Sequence, residues 1–350
     1  MTVEAVLKSG QAAKVQSASI VGLAACVPPR VVGNDHFSEQ FGDGVADVTK
    51  MTGVLTRRWV DDATTTADLC VAAGKRVLED LDWDPASVDA LIFISQTPDY
   101  RLPATAAVMQ PLLDLRPGII AFDINLGCSA YPYGLWLAMS MVQTGAARRV
   151  LLAVGDTSSR VVDPSDRATA MLFGDAGTVT AIEYDEKAEP AYFVLGTDGR
   201  GANNLIIPSG ASRQQKHEKT PNEQDKLFMD GGEIFTFTLK AVPTLVAETM
   251  QIAGKTVDDY DYFLFHQANT FMINHLAKKA KLPSEKVPIN IDAFGNTSSA
   301  TIPLLICDKL AGDLSSKPLR LGMFGFGVGY SWGGASIDVG ALKSVALLTL

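Results

Sequence analysis

Three observations predict an α/β fold built from two repeated halves. Short apolar runs bounded by glycine, asparagine or aspartate alternate with longer stretches of helical character, as in layered α/β proteins with mostly parallel sheets. The same order of elements occurs twice along the chain. At corresponding places in the two copies, strand ends lead into Gly127-Cys128-Ser129 and Gly295-Asn296-Thr297.

Taken in order, the apolar stretch 20–27 is short and interrupted, and reads as a first strand, not as an export signal. A helix over 66–81 leads to a strand over 88–94 ending at Gln96. A short helix over 104–115 follows, then a strand over 119–126, a helix over 133–144 and a buried strand over 150–154. The second copy begins with a helix over 233–253 and a strand over 260–265 ending at His266-Gln267. It continues with a helix over 270–281, a strand over 287–291, a helix over 298–311 and a strand over 319–324. The halves are thus expected at 15–185 and 186–350, packed as pseudo-symmetric partners with their strand ends converging. The polar stretch 209–226, with Arg213, Lys216, His217, Lys219 and Pro221, has no apolar period and reads as a surface excursion.

Composition narrows the function. A chain of 350 residues, 47% hydrophobic and 20% charged, can bury a large core. A net charge of −9 excludes a general nucleic-acid-binding surface. It also means that an acidic carrier protein needs a local basic patch, for which Lys278, Lys279 and Lys281 are candidates. The four cysteines (Cys26, Cys70, Cys128, Cys307) lie far apart without C-x-x-C pairing, which points to free thiols in a reducing cytoplasm. No zinc-ligand spacing joins them to the four histidines, and no apolar run reaches the roughly 18 residues of a membrane span.

Cys128 lies where an apolar strand meets an Ala/Leu/Met-rich helix. A helix start offers unpaired N–H groups and the positive end of a dipole, so thiolate is expected there near neutral pH. His266 and Asn296 also lie at element ends, and the three together read as an acyl-carrying nucleophile with its electrophilic partners. Asn296 is also a favoured helix-cap residue, and the two roles can coexist. His36, His217 and His275 have no partner visible in the sequence and read as structural or surface residues. The glycines over 322–334 open no helix in the manner of a phosphate loop.

Asn125-Leu126-Gly127-Cys128-Ser129-Ala130, Asp166-Arg167-Ala168-Thr169, Phe173-Gly174-Asp175-Ala176-Gly177, His266-Gln267-Ala268-Asn269, Gly295-Asn296-Thr297-Ser298-Ser299-Ala300 and the closing Phe326-Gly327-Val328-Gly329-Tyr330-Ser331-Trp332-Gly333 occur in that order. Together they resemble the thiolase superfamily, most closely the ketoacyl-acyl carrier protein synthase III family, over about 18–339. The resemblance implies a five-layered αβαβα thiolase-like fold, a homodimer and decarboxylative condensation without a cofactor or metal. Acyl-coenzyme A or acyl carrier protein thioesters would be the substrates. Cys128 would take the acyl group, while His266 and Asn296 would hold the malonyl thioester carbonyl. The N–H groups of Cys128 and of the turn at Val328 would hold the acyl-transfer oxyanion.

Arg167 would contribute to a nucleotide or phosphate site, Leu102 to the end of the acyl pocket across the dimer, and Asn269 to orienting its neighbours or substrate. The stretch Ala46-Asp47-Val48-Thr49-Lys50-Met51-Thr52 lacks the tryptophan and arginine with which family members sandwich adenine, which favours a carrier-bound donor. Phe271 replaces an arginine linked to carrier docking, whereas Lys278 and Lys279 match docking positions. A non-condensing acyltransferase using Cys128 is the alternative, and the presence of Asn296 ranks it second.

Overall fold

The computed structural model describes residues 9–213 and 225–350. Its elements, along the chain, are β1 (Gln11–Val15), β2 (Ala18–Val27), α1 (Gly44–Thr52), α2 (Thr66–Asp80), β3 (Ala90–Ile94), α3 (Thr105–Leu112), β4 (Ile120–Ile124), α4 (Ala130–Gln143), β5 (Arg149–Thr157) and β6 (Asp175–Tyr184). There follow β7 (Ala191–Thr197), α5 (Gly231–Ala253), β8 (Tyr262–Phe265), α6 (Thr270–Lys279), α7 (Thr301–Lys309), β9 (Leu319–Gly327), β10 (Ser331–Val339) and β11 (Ser344–Thr349). Two sheets carry the fold, with strand orders β11-β2-β6-β5-β3-β4 and β1-β7-β10-β9-β8. Each is extended by a strand from the far end of the chain: β1 runs antiparallel to β7, and β11 runs parallel to β2.

The layers follow from strands buried on both faces, which is why they read as continuous apolar runs. Val150, Leu152 and Val154 of β5 face a central core, while Leu151 and Ala153 face an outer one. In the central layer, Leu135, Ala138 and Met139 of α4 and Ile302, Leu305 and Ile306 of α7 fill the space between the sheets. Outside the first sheet lies α2, started by a Thr65–Asp68 capping box and packed through Leu69, Cys70 and Val77. Outside the second lie α5 and α6, whose Val242, Leu245, Ile273 and Leu276 share a core with Phe263, Phe265, Phe324 and Phe326. This is the expected αβαβα arrangement of two pseudo-symmetric halves.

Two expectations are corrected. The sheets are mixed, not mostly parallel: β3 pairs in parallel with β4 and β5, and β8 with β9, but β6 and β10 run antiparallel to their neighbours. The link from β9 to β10 is too short for the crossover that a parallel pair needs. Residues 287–291 form no strand, but coil between the 3-10 turn Ser284–Lys286 and the short helix Ile291–Phe294. Pro288 has no N–H to give a ladder, and the Asn290 N–H is taken by Gln267 Oε1 at 3.1 Å, so β8 is left as an edge. Residues 298–311 begin with a 3-10 turn, Ser298–Ala300, before α7. The glycines of 322–334 lie in β9, β10 and the turn between them. In the polar stretch, 209–213 form no helix or strand, while Lys216, His217, Lys219 and Pro221 lie outside the described residues.

Candidate active site

Cys128 lies between β4 and α4, both layers deep, at the centre of the molecule. The Ala130 N–H closes a turn on the Gly127 carbonyl at 2.7 Å and starts the helix. Three donors converge on the buried sulfur: the Val328 N–H, the Cys128 N–H and the Ser298 hydroxyl. A Cβ at Gly327 would lie 2.7 Å from Cys128 Cβ and 2.8 Å from Sγ, so only glycine lets the turn after β9 come this close. Burial pushes the thiol up to about 11, outweighing those donors, and the buried Asp156 carboxylate pushes the same way. The expected thiolate near neutral pH is therefore corrected: the helix start is present, but desolvation dominates.

His266 ends β8, where its N–H bonds the Phe324 carbonyl at 2.8 Å. Its ring packs edge-on against Phe326, with centroids 5.6 Å apart, and its Nδ1 is 2.7 Å from Thr301 Oγ1. Burial lowers its pKa to about 3, against the pull of the Ser298 carbonyl, so the imidazole is neutral at physiological pH.

Asn296 is buried and fastened through its backbone. Its N–H donates to the Leu172 carbonyl at 2.9 Å, and its carbonyl accepts from the Gly174 N–H at 3.1 Å. The fully buried Arg57 stands behind this bridge and donates to the Met171 carbonyl at 2.7 Å. The Asn296 Oδ1 accepts the Ser298 N–H at 2.9 Å, which leaves the Nδ2 hydrogens as the outward-facing donors. The capping-type contact expected of Asn296 is thus present, made to the Ser298 N–H.

The structure brings together Cys128, His266, Asn296 and the backbone of Val328. It places three other candidates elsewhere. Arg167 is exposed and lies across Gly44 at the start of α1, the helix that contains 46–52 and its exposed Met51. Leu102 is 88% exposed in a loop ahead of α3. Asn269 caps α6, its Oδ1 accepting the Met272 N–H at 2.7 Å. The side chains of Lys278, Lys279 and Phe271 are exposed on α6. Sequence reasoning missed Ser298, Thr301 and Asp156 as site residues. The one available signal was a carboxylate two residues after the buried run 150–154. Among the described residues, no group of three or more His, Cys, Asp or Glu residues converges to hold a metal, and no helix is long and apolar enough to cross a membrane.

A buried cysteine at a central helix start, a neutral histidine and an asparagine oriented by the Ser298 N–H thus lie together around Ser298. The family profile described as 3-oxoacyl-[acyl-carrier-protein (ACP)] synthase III matches residues 122–199, and its C-terminal counterpart matches 250–339. A β-ketoacyl-[acyl-carrier-protein] synthase III of Caldanaerobacter subterraneus is 33% identical over 92% of this chain and 97% of its own length. One from Streptomyces coelicolor is 34% identical over 91% of this chain and 93% of its own. A solved 3-oxoacyl-(acyl-carrier protein) synthase from Burkholderia xenovorans superposes with a TM-score of 0.96 at 55% identity, covering 98% of this chain and 99% of that one.

The chain belongs to the 3-oxoacyl-[acyl-carrier-protein] synthase III family of the thiolase superfamily. It is an acyltransferase of the β-ketoacyl synthase type, condensing an enzyme-bound acyl group with a malonyl thioester with loss of carbon dioxide.

Proposed function

We propose that Cys128 carries the acyl group and that His266 and Asn296 act on the malonyl thioester. The observation that carries this reading is the convergence of the Val328 and Cys128 N–H groups on Sγ, beside an asparagine whose Nδ2 is turned outward. In loading, the sulfur attacks the donor carbonyl and the two N–H groups receive the oxyanion. The C–S bond to the donor thiol then breaks, and that thiol departs with the proton from Cys128.

In condensation, the malonyl thioester carbonyl lies against His266 Nε2 and Asn296 Nδ2. The Thr301 hydroxyl lies 2.7 Å from Nδ1 and 3.0 Å from the Ser298 carbonyl, and in the tautomer with its proton on Nε2, where that hydroxyl turns to Nδ1, the neutral ring is a donor. The bond to the carboxylate breaks, carbon dioxide leaves, and the electron pair becomes an enolate held by both donors. The enolate carbon attacks the Cys128 thioester, forming the carbon–carbon bond. The sulfur leaves as thiolate and is reprotonated. Donors aimed at developing charge in this way are worth about 3–4 kcal/mol each.

We infer a homodimer. Among the described residues no strand pairs with the outer edge of β4, which leaves Ile120 exposed and Phe122 and Ile124 only half-buried, while Leu102 projects nearby from the loop before α3. We place the boundary between the halves after β6, giving 15–185 and 186–350. The donor thioester is carried by acyl carrier protein in preference to coenzyme A, since α1 lacks an adenine sandwich beside Arg167. Four free, buried cysteines suit a cytoplasmic protein.

Intact-protein mass spectrometry tests this reading with acyl-coenzyme A and acyl-carrier donors, followed by a malonyl thioester. An acyl adduct mapping to Cys128, then discharged as a product two carbons longer, is expected. An adduct on Cys70 or Cys307 would overturn the assignment, and discharge without chain growth would support simple acyl transfer.

A further inference from the structure

Asp156 is 0% exposed, at the end of β5 below the nucleophile, and its hydrogen-bond partners come from both halves. Its Oδ1 accepts the Gln96 N–H at 2.7 Å, the Ser95 hydroxyl at 3.1 Å and the Thr97 hydroxyl at 3.4 Å, all from the end of β3. Its Oδ2 accepts the Ser299 hydroxyl at 2.6 Å and the Ser299 N–H at 3.2 Å, three residues beyond Asn296. No cation is among these partners.

An unpaired buried carboxylate costs several kcal/mol to desolvate, so donors must hold it. Burial raises its pKa and the Ser299 and Gln96 donors oppose the rise. The backbone N–H groups of Gln96 and Ser299 can only donate, one to each oxygen, so both oxygens are committed as acceptors.

The pseudo-symmetry sharpens the point. Ile94 pairs with Val154 in the first half as Phe265 pairs with Phe324 in the second. By that register Ser95 matches His266, and Asp156 matches Phe326, the ring on which His266 rests. Where one half uses an apolar floor under a catalytic side chain, the other uses a carboxylate that reaches into the opposite half.

We propose that Asp156 is a positioning residue that ties the Asn296–Ser299 loop to the nucleophile's half and so sets the direction of the Asn296 carboxamide. Asn296 is aimed by the Ser298 N–H, and Ser298 is held between Asn296 and the Ser299 anchor. Ser298 adopts φ +52°, in the left-handed region, which a chain of this kind keeps only when its neighbours fix it. The inference rests on the assignment of Asn296 to the malonyl step.

The test uses the intact enzyme and measures two rates: loading of Cys128 by mass spectrometry, and malonyl decarboxylation by carbon dioxide release. Asp156→Asn replaces one acceptor by an NH2 group facing an N–H donor, so decarboxylation should fall about 100-fold, the scale of a misplaced catalytic group, while loading changes by less than about fivefold. Ser299→Ala removes the shortest link but keeps the N–H contact and should lower decarboxylation in the same selective way, by about tenfold. In an Asn296→Ala background, Ser299→Ala should have no further effect on decarboxylation.

Equal losses of both rates in Asp156→Asn and Ser299→Ala, or an unchanged ratio between them, would overturn the proposal and leave Asp156 a purely structural group. If Asp156→Asn does not fold, Ser299→Ala decides. A full decarboxylation rate in Asn296→Ala alone would instead remove the role given to Asn296.

Discussion

Neutral, buried His266 makes the stability of this enzyme depend on acid in a way that can be isolated. Its pKa is lowered from 6.5 to about 3 by burial. A base with a lowered folded pKa contributes stability fully above its unfolded value and loses it as the pH falls from 6.5 toward 3, because the unfolded chain binds the extra proton. Between pH 7 and pH 5 the loss amounts to about 2 kcal/mol, taking 1.36 kcal/mol per pKa unit. Asp175, raised to about 6 by burial, acts in the opposite direction over much of this window, so the wild-type curve alone does not report on His266.

Substituting the histidine separates the two. His266→Gln keeps Asp175 but removes the titrating ring. Its stability deficit relative to wild type should therefore shrink by about 2 kcal/mol when the pH is lowered from 7 to 5. Urea unfolding at fixed protein concentration, followed by tryptophan fluorescence, measures this as the convergence of the two midpoints at constant m. A deficit that stays constant or widens would show that His266 is not held neutral by burial.

Three further outcomes are expected. Alkylation of Cys128 by iodoacetamide in the free enzyme should rise about tenfold per pH unit from 7 to 10, as the thiol has a pKa of about 11; a plateau near neutral pH would contradict this. Gly327→Ala places a methyl 2.7 Å from Cys128 Cβ and should cost about 1–3 kcal/mol of stability and displace the Val328 N–H, seen as a lower unfolding midpoint together with slow acyl loading; normal loading would show that the turn is free to move. Leu102 offers less bulk than phenylalanine at the expected end of the acyl pocket. Medium or branched donors should therefore load better than acetyl, gaining about 0.8 kcal/mol per buried methylene. Leu102→Phe should restore acetyl preference in competition assays, and an acetyl-preferring wild type unaffected by Leu102→Phe would refute this.

Much of the architecture was legible because β3, β5 and β8 are covered on both faces and so carry apolar runs. β6 and β10 were not, since buried Thr178 and Thr180 in one, and Ser331, Gly333 and Gly334 in the other, interrupt that signal. Residues 287–291 looked like a strand, but the Gln267 side chain, distant in sequence, takes the Asn290 N–H. Cys128, His266 and Asn296 stood out as polar groups at strand ends. The protonation state of Cys128 did not: a helix start is visible in sequence, whereas the layers that desolvate it are not. Asp156 and Thr301 meet the site through partners from remote stretches, Ser299 for the one and His266 for the other, so little in the local sequence marked them.

The most direct test of the central claim measures the two half-reactions separately in His266→Ala and Asn296→Ala. Acyl loading onto Cys128 should stay near wild type, because its oxyanion is held by backbone N–H groups. Malonyl decarboxylation should fall about 100- to 1,000-fold in each variant, as expected for loss of one donor to developing charge. Equal losses in loading and decarboxylation, or full decarboxylation in either variant, would contradict the division of labour proposed for this site.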